Sequence, residues 1–481
     1  MTATTMEGHT SKTGKLGLLS LTALVIGSMI GGGVFSLPQN MAAGAGAGAA
    51  LIGWAITGVG MLALALVYQE LANRKPALDA GPYAYAKAGF GDFVGFNSAW
   101  GYWLSAWIGN VSYAVLIFGA LGYFYPVFGE GNSWQAILGA SIVLWTVHGL
   151  ILSGIRQAAL ANVVTTLAKL VPIIVFILAV ATVFQFQQFR GDFWGTPSLG
   201  AIFDQVKSTM LVTLWVFIGV EGASVFSARA RSKSDVGRST VIGFLAALAV
   251  YMLVSLLSMG AMSQADLASL KNPSMAGVLE QVVGPWGSAL VSIGVVISVG
   301  GAFLSWTLLA AEIPFVAAKD GTMPRFLAGE NAKGSPATSL WITNGFVQIF
   351  LIVAYYYQST YQALFYIAST AILVPYVFSG AYALKLALSG EAYRAGESRM
   401  RDVVLGLIAT LYGAWLVYAA GPAYLLMCAL LYAPGILLYW FARRERSLPA
   451  FRPLEVALAV GLVAAAIVAA FMMYRGAISP L

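Results

Sequence analysis

Runs of about twenty apolar residues recur along the whole of this 481-residue chain, and they constrain its fold more than any other feature. Each is long enough to cross a hydrocarbon core as a helix. Thirteen are expected: 15–37, 47–70, 93–122, 134–154, 158–184, 206–227, 240–262, 286–317, 339–357, 362–388, 403–421, 422–442 and 454–474. The split at Gly421-Pro422 is the tightest, because one turn must separate two spans. Only 9% of residues are charged and mean hydropathy is +0.81, where a soluble domain carries about 25% charge. The fold class is therefore an all-α polytopic membrane protein, bounded by a polar tail at 1–14. The first apolar run is too long for a cleavable leader, and no small-residue cleavage site follows it.

The formal charge of +7 is a topology signal. With the N-terminus in the cytoplasm, 21 of the 26 Lys and Arg residues fall in inside regions. Arg190, Lys207, Lys271 and Arg475 fall outside, and Lys169 lies within a helix. The positive-inside rule selects this orientation, and thirteen spans then put the C-terminus outside. No nucleic-acid partner is needed to account for the charge. The single cysteine, Cys428, sits in an apolar run, so no disulfide framework is possible within the chain.

Within the first apolar run stands Ile26-Gly27-Ser28-Met29-Ile30-Gly31-Gly32-Gly33-Val34-Phe35. Each glycine costs a helix interior up to ~1 kcal/mol. Small residues also serve close helix packing, but a contiguous triple exceeds that need. A broken helix is expected, and unpaired backbone at membrane depth must line a cavity or be covered by protein. Residues 222–226, Gly-Ala-Ser-Val-Phe, echo residues 31–35 in the sixth apolar run, after Ile218-Gly219-Val220-Glu221. Five helices separate the first run from the sixth, so the two five-helix blocks have opposite topology. Interrupted helices in matching places of an inverted repeat point to a transporter's central site.

A broken helix leaves N–H groups unpaired at one end and C=O groups at the other. The first end attracts anions and the second cations, which matches the α-carboxylate and α-ammonium of an amino acid. Gly31, Gly32 and Gly33 can offer amides to the carboxylate, and the carbonyls near Met29 and Ile218 can take the ammonium.

Intramembrane ionisable residues are functional candidates by default. Glu221 lies in the second break. It could pair with a cationic ligand, hold the break, act as a gate, or serve as a structural carboxylate bonded to amides or a tyrosine. Lys169 lies deep in the fifth run. It could carry a proton, replace a bound cation at the first break, or snorkel to the inner face. Glu70 and Glu312, near inner helix ends, read as gate or interface residues, and His148 reads as packing. Among the 61 aromatic residues, Trp215 stands six before Glu221 and Trp306 follows Gly300-Gly301-Ala302, where close helix approach is expected. Either could stack on a cation.

The segments Ile30–Pro38, Tyr102–Asn110 and Thr213–Gly222, with 79–89 (Asp-Ala-Gly-Pro-Tyr-Ala-Tyr-Ala-Lys-Ala-Gly), resemble the amino acid–polyamine–organocation superfamily. Within it they are most similar to the basic amino acid/polyamine antiporter group. The resemblance implies a five-plus-five inverted repeat with broken helices 1 and 6 over residues 15–388, and appended helices over 389–481. By the same likeness Gly32 and Gly33 hold the carboxylate and Met29 and Ile218 offer carbonyls. Trp215 is a lid, Glu221 belongs to a gating network, and Trp306 stacks on the guanidinium or aliphatic stem. Ser105, Ala106 and Asn110 line the distal pocket, with Ser369 beside Ala368, where the family's pocket serine falls. Gly32 and Ala106 stand where the family template has serine and cysteine, so the distal-group preference is open and the backbone site is intact.

The implied function is secondary antiport of amino acids in a bacterial cytoplasmic membrane, arginine against ornithine. Proton-coupled uptake through Lys169 and exchange of another amino acid for an amine are the alternatives. The implied partners are small-molecule substrates, membrane lipid and, in this group, a second copy of the chain. No cofactor or metal is expected. A channel would want repeated pore-lining segments. An enzyme would need a nucleophile–base or metal constellation, and two histidines and one cysteine supply none.

Overall fold

The computed structural model describes residues 17–78, 81–154, 158–221 and 233–478. Among them every regular element is helical. The chain opens with two short helices, α1 (Leu18–Met29) and α2 (Leu37–Ala42), joined through a 3₁₀ turn at Gly32–Ser36. Then come α3 (Ala47–Arg74), α4 (Pro82–Phe90), α5 (Asp92–Leu121), α6 (Trp134–Leu152), α7 (Ala158–Thr182) and α8 (Phe186–Gly191). Helix α9 (Ile202–Phe217) runs into the second break. After it lie α10 (Lys233–Ala261), α11 (Gln264–Ser269), α12 (Ser274–Val283) and α13 (Pro285–Lys319). The chain continues through α14 (Ala337–Tyr356), α15 (Tyr361–Ala371), α16 (Leu373–Ser389), α17 (Met400–Arg444) and α18 (Pro453–Tyr474).

Nine helices of the described residues are long and apolar enough to cross a membrane, ten when α1 and α2 form one bent span. The chain is an integral membrane protein of all-helical build. The thirteen expected segments differ from this number in three places. The apolar part of α7 is short, Ala168–Thr182. Helix α9 has 16 residues. And α17 holds two expected segments in one 45-residue element. A straight helix of that length would reach ~68 Å, more than twice the hydrocarbon thickness. Its geometry resolves the conflict. Gly421 leaves the helix at φ 75°, ψ 163°, a left-handed φ that favours glycine, and Pro422 follows. Asp402, near one end, bonds Arg74, while Arg443, at the other, bonds Asp92. Arg74 ends α3 and Asp92 begins α5, so both ends of α17 return to one face of the molecule.

That face collects the ionic contacts. Lys75 pairs with Glu391, Lys87 approaches Asp320, Lys319 pairs with Glu330, and the Arg325 N–H donates to Glu445. The opposite face joins the other set of connections. Gln39 meets Ser274, Gln264 meets the Ala42 carbonyl, and Lys271 pairs with Glu130. Helix α5 runs between the two faces, buried along nearly its whole length. Trp100, Trp103 and Trp107 on one of its sides stack into a ridge against Phe346 and Phe350 of α14. Its other side, carrying Tyr102, Gly109 and Tyr113, looks toward the two breaks.

Candidate substrate site at the two helix breaks

Helix α1 stops at Met29. Ile30 (φ −72°, ψ 95°) and Gly31 (φ −107°, ψ −156°) are extended, and the chain resumes as the turn Gly32–Ser36, bent by 49°. The end of α1 is thus a set of carbonyls without helical donors. Lys169 of α7 fills part of that deficit. Its ammonium lies 2.6 Å from the Gly27 carbonyl and 2.8 Å from that of Ile30, in a buried position. A cation at a helix C-terminus is favourable for the dipole as well as for the hydrogen bonds. Beyond the break, the N–H groups of Gly31, Gly32 and Gly33 make no hydrogen bond among the described residues.

Helix α9 ends in a similar way. Ile218 turns out of the helix at ψ 128°, and Gly219 takes φ 105°. The Gly219 N–H donates to Glu221 Oε2 (3.2 Å). Tyr102 of α5 donates to Oε1 (2.8 Å) and Tyr376 of α16 to Oε2 (2.7 Å). Glu221 is therefore a buried carboxylate that ties two helices to the second break. The echo at 222–226 lies outside the described residues.

The two breaks meet. The Tyr251 hydroxyl of α10 lies 2.7 Å from the Met29 carbonyl and 2.9 Å from that of Val216, bridging α1 and α9. A methyl group on Gly33 would stand 2.8 Å from Val216 Cγ1 and 2.9 Å from Trp215 Cδ1. That approach demands glycine whatever binds there. Trp215 caps the arrangement: its indole N–H donates to the Tyr361 hydroxyl (2.8 Å), and its ring stacks on Phe365 and tilts against Tyr113.

Met29, the three glycines, Trp215, Ile218 and Lys169 thus come together. Asn110 stands on the α13 side of α5, where its amide donates to Thr307 (3.0 Å). Its Oδ1, like Ser369 Oγ, is buried with no partner among the described residues. Ser105 and Ala106 are buried on α5. Trp306 is half-buried on α13, two turns from Val299, whose Cγ2 would lie 3.0 Å from a methyl group on Gly32. Close approach of α13 to α7 occurs at Gly301, where a methyl group would meet Thr165. Away from the breaks, Glu70 pairs with Arg74 (2.5 Å). His148 packs edge-on against Trp341, its Nδ1 3.1 Å from the Asn344 amide. The sequence reading missed Tyr113, Tyr251 and Tyr361, and with them Tyr102 and Tyr376. Each is a buried tyrosine, and a buried hydroxyl needs a partner.

Residues 16–435 match the family model for amino acid permeases. The chain belongs to the amino acid permease family. Among its relatives the permease is 55% identical to an arginine/ornithine antiporter of Pseudomonas aeruginosa, over 96% of this chain and 98% of that protein. It is 50% identical to a putative arginine/ornithine antiporter of Escherichia coli (90% and 93%) and 46% identical to an arginine/agmatine antiporter of Chlamydia abortus (90% and 91%). The superfamily expected from the sequence is therefore correct, and the permease is a transport protein.

Proposed function

We propose that this permease is an antiporter that exchanges arginine for ornithine through the site at the two breaks. The observation that carries the reading is the trio of unpaired N–H groups at Gly31–Gly33, facing the aromatic cap of Trp215 and Tyr113. Amides of that kind suit a carboxylate. The substrate's α-ammonium then lies toward the carbonyls of Ile218 and Met29, the second shared with Tyr251. Trp215 closes over the ligand from one side, while Tyr102, Glu221 and Tyr376 close the other as a gate. Trp306 stacks on the guanidinium or the aliphatic stem. Ser105, Ala106, Asn110 and Ser369 line the pocket for the distal group, with Asn110 Oδ1 and Ser369 Oγ as ready acceptors.

Two relatives at 50% identity or more carry arginine/ornithine in their names, which favours that pair over arginine and agmatine. Both substrates are monovalent cations, so the exchange is electroneutral and needs no coupling ion. Lys169 supplies the positive charge at the end of α1 itself. In this reading the ion-paired face is cytoplasmic, the N-terminus lies inside and the C-terminus outside.

The test is counterflow in proteoliposomes loaded in turn with arginine, ornithine, lysine, agmatine, cadaverine, putrescine or histidine. Labelled arginine should enter fastest against ornithine and slowly against the diamines, which lack a carboxylate. Equal exchange against agmatine and ornithine would sink the carboxylate assignment. Uptake into unloaded vesicles driven by a proton gradient would favour symport.

A further inference from the structure

On the ion-paired face, outside the substrate path, α3, α10 and α17 leave a groove of about 480 Å³ between them. Leu66 and Gln69 of α3 form one wall, Gly237, Arg238, Val241 and Ile242 of α10 the other, and Arg401 of α17 its rim. We propose that this groove binds an anionic phospholipid of the surrounding membrane, with its headgroup between Arg238 and Arg401.

Charge is the first argument. Several basic residues on this face are matched by carboxylates. Arg74 meets Glu70, Glu397 and Asp402, Lys75 meets Glu391, and Arg443 meets Asp92. Arg238 and Arg401 are exposed and make no ion pair or hydrogen bond among the described residues. Asp402, adjacent to Arg401, is turned away to Arg74 and Tyr393. Two unmatched guanidiniums across one groove are complementary to a phosphodiester, which each can hold through paired N–H donors.

The apolar walls decide between a lipid and a free anion. One turn below the arginines the groove is lined by Leu66, Val241 and Ile242. It continues along the same faces of α3 and α10 to Val59 (60% exposed) and Leu245 (49% exposed). That track descends from the helix ends toward the hydrocarbon, where acyl chains lie. Basic pockets between transmembrane helices at the membrane boundary take anionic headgroups in this way. Gln69 adds a preference. Its side-chain oxygen is buried without a hydrogen-bond partner, at the groove. A phosphate oxygen cannot satisfy it, whereas a hydroxyl on the headgroup can. Phosphatidylglycerol carries both the charge and the hydroxyls.

Native mass spectrometry of the full chain in detergent tests the assignment, with phosphatidylglycerol, phosphatidylcholine and inorganic phosphate titrated separately. Phosphatidylglycerol should bind well above phosphatidylcholine. Arg238→Gln/Arg401→Gln should weaken phosphatidylglycerol about thirtyfold, from the loss of two charges at the membrane surface, and leave phosphatidylcholine and arginine binding unchanged. Three results would each overturn the proposal: equal affinity for the two lipids in the unaltered protein, an unchanged phosphatidylglycerol affinity in the double variant, or displacement of the lipid by millimolar inorganic phosphate. The first needs no variant, so the proposal stays testable if the double variant does not fold.

Discussion

Lys169 holds its ammonium 2.8 Å from the carbonyl oxygen of Ile30, at the residue where α1 loses its helical geometry. A second carbonyl, that of Gly27, completes the contact. The carbonyl end of a helix favours a cation over a neutral amine, and a fixed charge is the role we propose for this lysine. Vesicles loaded with ornithine should accumulate labelled arginine. Vesicles containing buffer alone, with an inward proton gradient, should not. Strong accumulation in the buffer-only vesicles, abolished by Lys169→Gln, would make the lysine a proton carrier.

Gly33 and Gly31 should behave differently under the same change. A methyl group at Gly33 meets Trp215 and Val216 within 3 Å, whereas one at Gly31 first meets the Tyr113 hydroxyl at 3.3 Å. Overpacking of the first kind costs about 1–3 kcal/mol. Gly33→Ala should therefore lose most transport in protein that still inserts, and Gly33→Val all of it, while Gly31→Ala keeps a large part. Arginine exchange rates normalised to inserted protein decide the matter, and equal activity at the two alanine variants would count against the packing argument.

Tyr251→Phe removes one oxygen and leaves the Met29 and Val216 carbonyls without their shared donor. Orphaning a buried hydrogen-bonding group costs about 1–3 kcal/mol. The variant should unfold at a lower temperature in detergent and transport more slowly, with its preference among arginine, ornithine and lysine unchanged. A changed preference at unaltered stability would show that the hydroxyl contacts the substrate itself.

Loop 390–399 offers a pH test away from the site. The Arg74 guanidinium, hydrogen-bonded to Glu397, holds that carboxyl below its usual value, as Lys75 does for Glu391. A group whose pKa is lower when folded adds stability above its unfolded value, and this is lost as pH falls through the folded one. Glu397→Gln should thus lower the melting temperature at neutral pH, modestly for so exposed a pair. The gap to the parent should close as the pH drops below the ordinary carboxylate range. A gap that is constant with pH would mean that the contact is not electrostatic.

Much of this arrangement is legible in the residues alone. Gly31-Gly32-Gly33 announces the first break, because three glycines cannot sustain a helix at membrane depth. Gly421-Pro422 marks the reversal in α17. Glu221 and Lys169 stand out because ionisable residues are scarce in apolar runs. What escaped the reading is what those groups hold. Hydrophobic periodicity says which face of a helix is covered, yet in a membrane nearly every face is apolar, so it cannot say which helix covers it. Tyr251 is indistinguishable in the sequence from the other 21 tyrosines, and only the path of α10 across both breaks sets it apart. Trp215 was legible as a candidate, while Tyr361, 146 residues on, carried no signal that it would accept the indole proton.

The reversal at Gly421 also bears on how this protein can be labelled or cut. With Asp402 and Arg443 anchored on the same face, the far end of α17 is a bend without a connecting loop. A protease added on that side finds no strand of backbone to enter between the two halves. An epitope inserted there would break the turn between the two halves of α17, so tags and cleavage sites belong instead in the longer connections, such as residues 123–133 or 192–200.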